Sequence, residues 1–382
     1  MDLLSIIWTN DFVRAIVAFI GILGVVVFVH EMGHYLVARY NGVRVVVFSI
    51  GFGRELFGWN DRSGTRWKIS LLPLGGYVRM FGDADAASTP GGELGVMTPD
   101  ERRVSFHHKR LGQRTAIMLA GPLANFVFAV VILAGLFATV GQRITPPEIS
   151  MVTPGSAAEA AGMRAGDVVL RLDGREIDRF ETLQQLVGES AGVPLRVVVW
   201  RDGVEIELVV TPRHVEVRDT FGKLHRFGQI GVGRTDVVLV RHDPLTAVWA
   251  ATKETAWLTT ETLRRLGQMI VGTRNADELG GPIFIAQVAG EVAKNGVVMV
   301  FWFMALLSVN LGLINLFPIP MLDGGHLLFY AFEAVRRRPL GQRAQIYGFR
   351  IGLTMVLTLM VFVTWQDLVR IRVFDFLFGL LS

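Results

Sequence analysis

The chain has 382 residues, 51% of them hydrophobic and 19% charged, with a formal net charge of +4 and a mean hydropathy of +0.43. That apolar content exceeds what one soluble core of this length requires, so the composition points to a membrane protein. Cysteine is absent, which excludes disulfides, thiolate metal ligands and a cysteine nucleophile.

Crossing a hydrocarbon core takes about 20 consecutive, mostly apolar helical residues. Residues 15–38 form the first stretch that qualifies. Its apolar run is longer than the roughly 7–15 residues of a signal-peptide core, and no small-residue cleavage site follows. Next, residues 43–48 and 65–72 are rich in β-formers, with Gly51, Gly53, Gly58 and Gly64 punctuating the chain between them as turn signals. Phe48, Ile50, Phe52, Leu56, Phe57 and Trp59 crowd this segment, so the sheet is expected to dip into or lie against the bilayer. Residues 83–101 lack periodicity and read as a mobile loop. The second span covers 115–140, with Asn125 alone strongly polar in its middle.

A β-rich unit then occupies about 149–212. Strands are expected at 168–172, 195–200 and 205–210, separated by the turn signals Asp173-Gly174 and Asp202-Gly203, with short helices at 157–161 and 180–187. The wording Pro154-Gly155-Ser156-Ala157-Ala158, Ala161-Gly162-Met163, Ala165-Gly166-Asp167-Val168-Val169 and Leu172-Asp173-Gly174 resembles a PDZ domain. Residues 247–296 read as amphipathic helix, suited to lying along the membrane surface or packing on the PDZ-like unit. A third span is expected at 297–317 and a fourth at 351–365, which Gln366 to Val369 complete at the interface.

Basic residues gather in two short loops. About a dozen Lys and Arg lie between Arg39 and Arg114, and Arg336, Arg337, Arg338, Arg343 and Arg350 precede or open the fourth span. The positive-inside rule puts both loops in the cytoplasm, and therefore the N-terminus and residues 141–296 outside. This distribution also argues against one basic face for nucleic acid. Four regions follow: 1–140 and 297–382 in the membrane, 141–235 as a PDZ-like domain with its following strands, and 236–296 as an amphipathic helical segment.

The chemistry concentrates in His30-Glu31-Met32-Gly33-His34. Histidines at i and i+4 project from one helix face and can grip one metal ion, while the glutamate at i+1 sits beside a bound water. Ionisable groups in an apolar helix face a bundle interior or a water-filled cavity and usually serve a function. A catalytic zinc needs a third protein ligand and an open fourth position. Asp323 is the best candidate, in Asn315-Leu316-Phe317-Pro318-Ile319-Pro320-Met321-Leu322-Asp323-Gly324-Gly325, and His326 is its rival. Both His34 and Asp323 fall at the cytoplasmic ends of their spans, a depth set by charge alone.

These two motifs, with Gly121-Pro122-Leu123-Ala124-Asn125 and the strand and glycine segment around 45–77, resemble the site-2 protease family of intramembrane zinc metalloproteases, in its RseP-like bacterial branch. The similarity extends over most of the chain. It departs in carrying one recognisable PDZ unit where the branch's namesake has two. The resemblance implies zinc held by His30, His34 and Asp323, Glu31 as general acid and base, and Asn315, Pro318 and Pro320 near the substrate. It implies a bundle of about four transmembrane helices with a membrane-associated β-hairpin or sheet near the active site and an inserted extracytoplasmic PDZ-like domain. Its expected partners are the bilayer and single-span membrane proteins already trimmed by another protease, such as an anti-sigma factor or a signal-peptide remnant, cut in the inner membrane of a bacterium. No nucleic acid is expected. A membrane zinc transporter or channel, and a PDZ scaffold with an inactive site, are the alternative readings. The glutamate between the histidines favours the protease over the first, and the filled catalytic positions favour it over the second.

Overall fold

The computed structural model describes residues 10–84, 97–218, 224–234, 236–272, 280–338 and 340–370. The chain divides into two compact units, Met1–Leu136 with Pro244–Ser382, and Phe137–Asp243.

The first unit opens with α1 (Asp11–Tyr40), whose first turn is closed by Asn10: its side chain accepts from the N–H groups of Phe12 and Val13. Strands β1 (Val45–Asn60) and β2 (Arg66–Met80) follow as one long hairpin. Asp61 builds its turn, accepting from the backbone N–H of Ser63 and Thr65 and from Trp67 Nε1. The hairpin is longer than the sequence suggests and is folded back on itself. Phe48, Ser49 and Ile50 are partnered on one side by Val78, Tyr77 and Gly76, and on the other by Trp67, Lys68 and Ile69. Residues 66–70 in turn pair with 55–60. One point of the sequence reading is corrected. Gly51, Gly53 and Gly58 lie inside β1, where the register shifts, and do not end a strand. The start of β1 is interior to the sheet, so its free edge near α1 belongs to residues 76–80 of β2. Val45 and Phe48 accordingly pack into a buried cluster with Ala38, Ile117 and Met118. The far half of the hairpin leaves Leu56, Phe57, Trp59, Leu71 and Leu72 exposed, an apolar surface suited to lipid contact.

Of the expected loop at 83–101, residues 85–96 lie outside the described residues. Its end is ordered: α2 (Pro99–Val104) begins with a capping box between Thr98 and Glu101. A short 3₁₀ turn, Phe106–His108, leads into α3 (Leu111–Thr139).

The second unit pairs β3 (Gln142–Ile144) with a strand near its end, and β4 (Ile149–Val152) precedes α4 (Ala157–Ala160), which Ser156 caps. Then come β5 (Val168–Leu172), β6 (Arg175–Glu176), α5 (Phe180–Glu189), β7 (Leu195–Arg201) and β8 (Val204–Val210). The main sheet has the order β6-β5-β7-β8. A hairpin of β9 (Arg213–Arg218) and β10 (Leu224–Gln229) follows, then β11 (Val232–Arg234) on β4 and β12 (Val238–Val240) on β3. Burial alternates along β7 and places Leu195, Val197 and Val199 against Leu183 and Val187 of α5. Phe180, Leu183, Val187, Phe227, Ile230 and Val232 line a groove between α5 and the start of β11, where a PDZ-like fold offers a strand edge.

The chain returns to the first unit with α6 (Pro244–Val271), α7 (Pro282–Lys294), α8 (Val297–Asn315), α9 (Asp323–Arg336) and α10 (Gln342–Arg370). The sequence suggests one amphipathic helical segment over 236–296, on the membrane surface or packed on the PDZ-like unit. Its second half instead packs on α1: Ala289 shares a buried cluster with Ile22 and Val26, and a Cβ on Gly290 would stand 2.8 Å from Ala15 Cα. The apolar stripe of α7 thus meets α1, neither of the two surfaces expected for it. Asp367 of α10, 1% exposed, fixes the start of α7 by accepting from the N–H groups of Gly281, Ile283 and Phe284 at 3.0 Å each. Helix α6 is tied to α8 by Thr262 Oγ1, which donates to Asn310 Oδ1 at 3.2 Å.

By length and composition α1, α3, α8 and residues 343–370 of α10 can each cross a membrane. The fourth helix runs well beyond the fifteen or so residues its hydropathy marks, because Arg343, Arg350 and Arg370 dilute the apolar signal at both ends without interrupting the helix.

Candidate metal centre

Helix periodicity puts His30 and His34 one turn apart on α1, with Glu31 beside them, and all three are buried. Helix α3 packs closely behind this face because two glycines permit it. A Cβ on Gly33 would stand 2.3 Å from the Ala120 carbonyl oxygen, and one on Gly121 would stand 2.2 Å from His34 Nε2. The same helix contacts the far side of each imidazole. His34 Nδ1 lies 2.8 Å from the Ile117 carbonyl oxygen, which can only accept, so the neutral ring carries its one proton there and offers the Nε2 lone pair. His30 Nδ1 lies 3.2 Å from the Asn125 side-chain amide. Helix α8 closes on α3 through Gly312, whose Cβ would stand 3.0 Å from the Pro122 carbonyl oxygen, while Ser308 Oγ donates to the Asn125 carbonyl oxygen at 2.9 Å.

The third group arrives from the turn between α8 and α9. Pro318 and Pro320 stop the first helix, and Met321 adopts φ +92°, a left-handed conformation that is unusual and costly for a side chain of its size. Gly324 and Gly325 let the start of α9 fold onto that turn: added Cβ atoms would stand 2.2 Å from the Phe317 and 2.4 Å from the Ile319 carbonyl oxygens. This tight fold delivers Asp323 Oδ2 to 3.2 Å from His30 Nε2 and 3.3 Å from His34 Nε2, and the two Nε2 atoms are themselves 3.2 Å apart.

Three donor atoms therefore form a nearly equilateral triangle. Ligands bound at about 2.0–2.1 Å with tetrahedral angles stand about 3.3 Å apart, so the triangle fits one face of a zinc coordination sphere. Asp323 Oδ2 is buried and has no hydrogen-bond donor, as expected of an atom whose partner is a cation. His30, His34 and Asp323 are the one such metal-capable group among the described residues, and the fourth tetrahedral position is left for water or substrate.

Glu31 lies next to β2: a Cβ on Gly76 would stand 2.9 Å from Glu31 Cγ, so glycine there lets the sheet close against the carboxylate's stem. Asn315 ends α8 half-buried, Pro318 is exposed and Pro320 is half-buried. All three belong to the stretch that leads into Asp323. His326 does not join the cluster; its ring lies 5.2 Å from that of Phe349. Sequence reasoning noticed Gly121 and Asn125 without giving them a task, and missed the Ile117 carbonyl. A lone asparagine in an apolar span is the signal from which α3 could have been placed at the centre.

A metal-capable triad with a neighbouring glutamate, buried among helices fit to cross a membrane, defines a membrane metallopeptidase. The profile of peptidase family M50 matches residues 18–359, and the chain belongs to that family. It is 46% identical over 355 residues to a protein of Rhizobium meliloti (strain 1021) named as a zinc metalloprotease, covering 92% of this chain and 95% of the relative. A relative of the same naming from Agrobacterium fabrum is 46% identical over 359 residues, covering 92% and 95%. Metalloprotease MmpA of Caulobacter vibrioides is 40% identical over 402 residues, covering 97% of this chain and 99% of that one. The protein is a zinc metalloprotease.

Proposed function

We propose that this metalloprotease is an intramembrane endopeptidase of the site-2 type that cuts the transmembrane segments of single-span membrane proteins. The observation that carries the reading is the triangle of His30, His34 and Asp323 donor atoms built among apolar helices beside a buried Glu31. In this reading those three residues hold zinc. When bound, zinc polarises the scissile carbonyl and makes water a nucleophile near neutral pH. Glu31 takes the water's proton and returns it to the leaving amine. Its burial keeps competing solvent away from that transfer. Asn315, half-buried at the end of α8, positions the substrate, with Pro318 and Pro320 shaping the loop that follows it.

A helical substrate hides its peptide bonds, so it must unwind before cleavage. The edge of β2 at residues 76–80 offers an unwound segment a strand to pair with, beside Glu31. The basic loops favour a cytoplasmic side for this centre and an external side for the PDZ-like unit, in the inner membrane of a bacterium. That unit would then act as a size filter or recruit exposed chain ends through its groove. Removing residues 149–212 should release cleavage of untrimmed substrates if it filters, and abolish cleavage in a folded, zinc-loaded protein if it recruits.

The test is cleavage of single-span substrates by the protein reconstituted in liposomes, with product masses locating the cut. A bond within the apolar segment supports the proposal. Cuts confined to residues outside that segment would refute it.

A further inference from the structure

We infer that Asn125 is a positioning residue: its side-chain carbonyl oxygen accepts from His30 Nδ1–H and so holds His30 in the tautomer whose Nε2 can bind the metal. The inference rests on the reading of His30 as a metal ligand. An imidazole carries one proton when neutral, and the nitrogen that faces the metal must be free of it. For His34 the choice is made by the Ile117 carbonyl oxygen, which accepts from Nδ1 at 2.8 Å. For His30 the group in hydrogen-bonding reach of Nδ1 is the Asn125 amide, at 3.2 Å.

The two ends of that amide have opposite consequences. In the structure Nδ2 faces His30 Nδ1; with the amide so placed it donates, the imidazole proton sits on Nε2, and His30 donates to Asp323 Oδ2 across 3.2 Å, closing the centre to metal. If the amide makes a half-turn, Oδ1 accepts from Nδ1–H and Nε2 becomes the third inward lone pair. The oxygen needed for this is at hand: Asn125 is fully buried and its Oδ1 has no donor. The two ends occupy nearly the same volume, so the turn needs no repacking. The residue is also held in place. Its backbone carbonyl oxygen accepts from Ser308 Oγ at 2.9 Å, and Gly312 of α8 leaves only 3.2 Å between its own would-be Cβ and that of Asn125. Helix α3 therefore orients both imidazoles, by a main-chain carbonyl for one and a side-chain carbonyl for the other, and α8 fixes α3. Such outer partners of metal-bound histidines are worth about 10–100-fold in metal affinity.

The test measures zinc affinity by competition with a chromophoric chelator in detergent, for the full chain and for Asn125→Leu, Asn125→Asp and His30→Ala. Leucine keeps the volume and removes the acceptor; aspartate keeps the acceptor and removes the donor. The expected result is an affinity loss of about 10–100-fold for the leucine variant, near-native affinity for the aspartate variant, and a cobalt absorption spectrum at saturating cobalt that changes only in the leucine variant. If the leucine variant does not fold, Asn125→Ser, too short to reach His30, replaces it with the same expectation. Native zinc affinity in the leucine or serine variant, or equal loss in the aspartate variant, would overturn the inference. A zinc affinity that His30→Ala leaves unchanged would instead overturn the ligand reading beneath it.

Discussion

Gly121→Ala tests whether close helix packing builds the metal centre. The added Cβ would stand 2.2 Å from His34 Nε2, 2.6 Å from Cε1 and 2.8 Å from Cδ2. Ordinary carbon contacts begin near 3.5 Å, so ring and methyl must separate by about 1 Å or more. The ring cannot retreat freely, because its Nδ1 is tied to the Ile117 carbonyl oxygen at 2.8 Å. Nor can α1 and α3 part without opening the contact at Gly33. Overpacking of this kind costs about 1–3 kcal/mol, and a ligand displaced by about 1 Å no longer completes the triangle. The metal-free variant should unfold at lower temperature than the native protein, and chelator competition should show zinc bound about 10–100-fold more weakly. Gly112→Ala is the control on the same helix, since nothing lies within 4 Å of its Cβ; it should leave both readings near native. A Gly121→Ala protein with native zinc affinity and unchanged unfolding temperature would refute the packing argument.

Proline scanning of Gly76, Tyr77 and Val78 should identify a position where cleavage falls while bound zinc stays stoichiometric, because proline there removes an outward N–H from the free sheet edge. Turnover unchanged at all three positions would exclude strand pairing at this edge. Asp367→Ala should destabilise the first unit by about 1–3 kcal/mol, since three backbone N–H groups at the start of α7 lose a buried acceptor. Chemical denaturation checks this, and native stability would mean that water replaces the carboxylate.

The parts of this fold that were legible in the sequence are those decided within a few neighbouring residues. Four apolar runs gave the spans. The strand-like runs and the turns at Asp173-Gly174 and Asp202-Gly203 gave the strands of the second unit, and the spacing of His30 and His34 gave two donors on one face. What could not be read depends on residues far apart in the chain. Gly51 and Gly58 look like turn signals because local chemistry does not reveal that residues 66–70 fold between 47–50 and 55–60. The placement of α7 on α1 rests on Gly290 meeting Ala15, and its capped start on Asp367, some 85 positions away. In the same way, hydropathy could mark Asn125 as out of place in its span but could not supply His30 as the reason.

The function proposed for Glu31 is proton transfer at a zinc held by its neighbours. Its most direct test is cleavage of a single-span substrate by the purified protein in detergent, comparing native chain with Glu31→Gln and assaying bound zinc in both. The expected result is full zinc occupancy in both proteins and cleavage by the native chain alone. Comparable cleavage by the glutamine variant, or zinc in both with no cleavage by the native chain of any substrate in a panel, would contradict it.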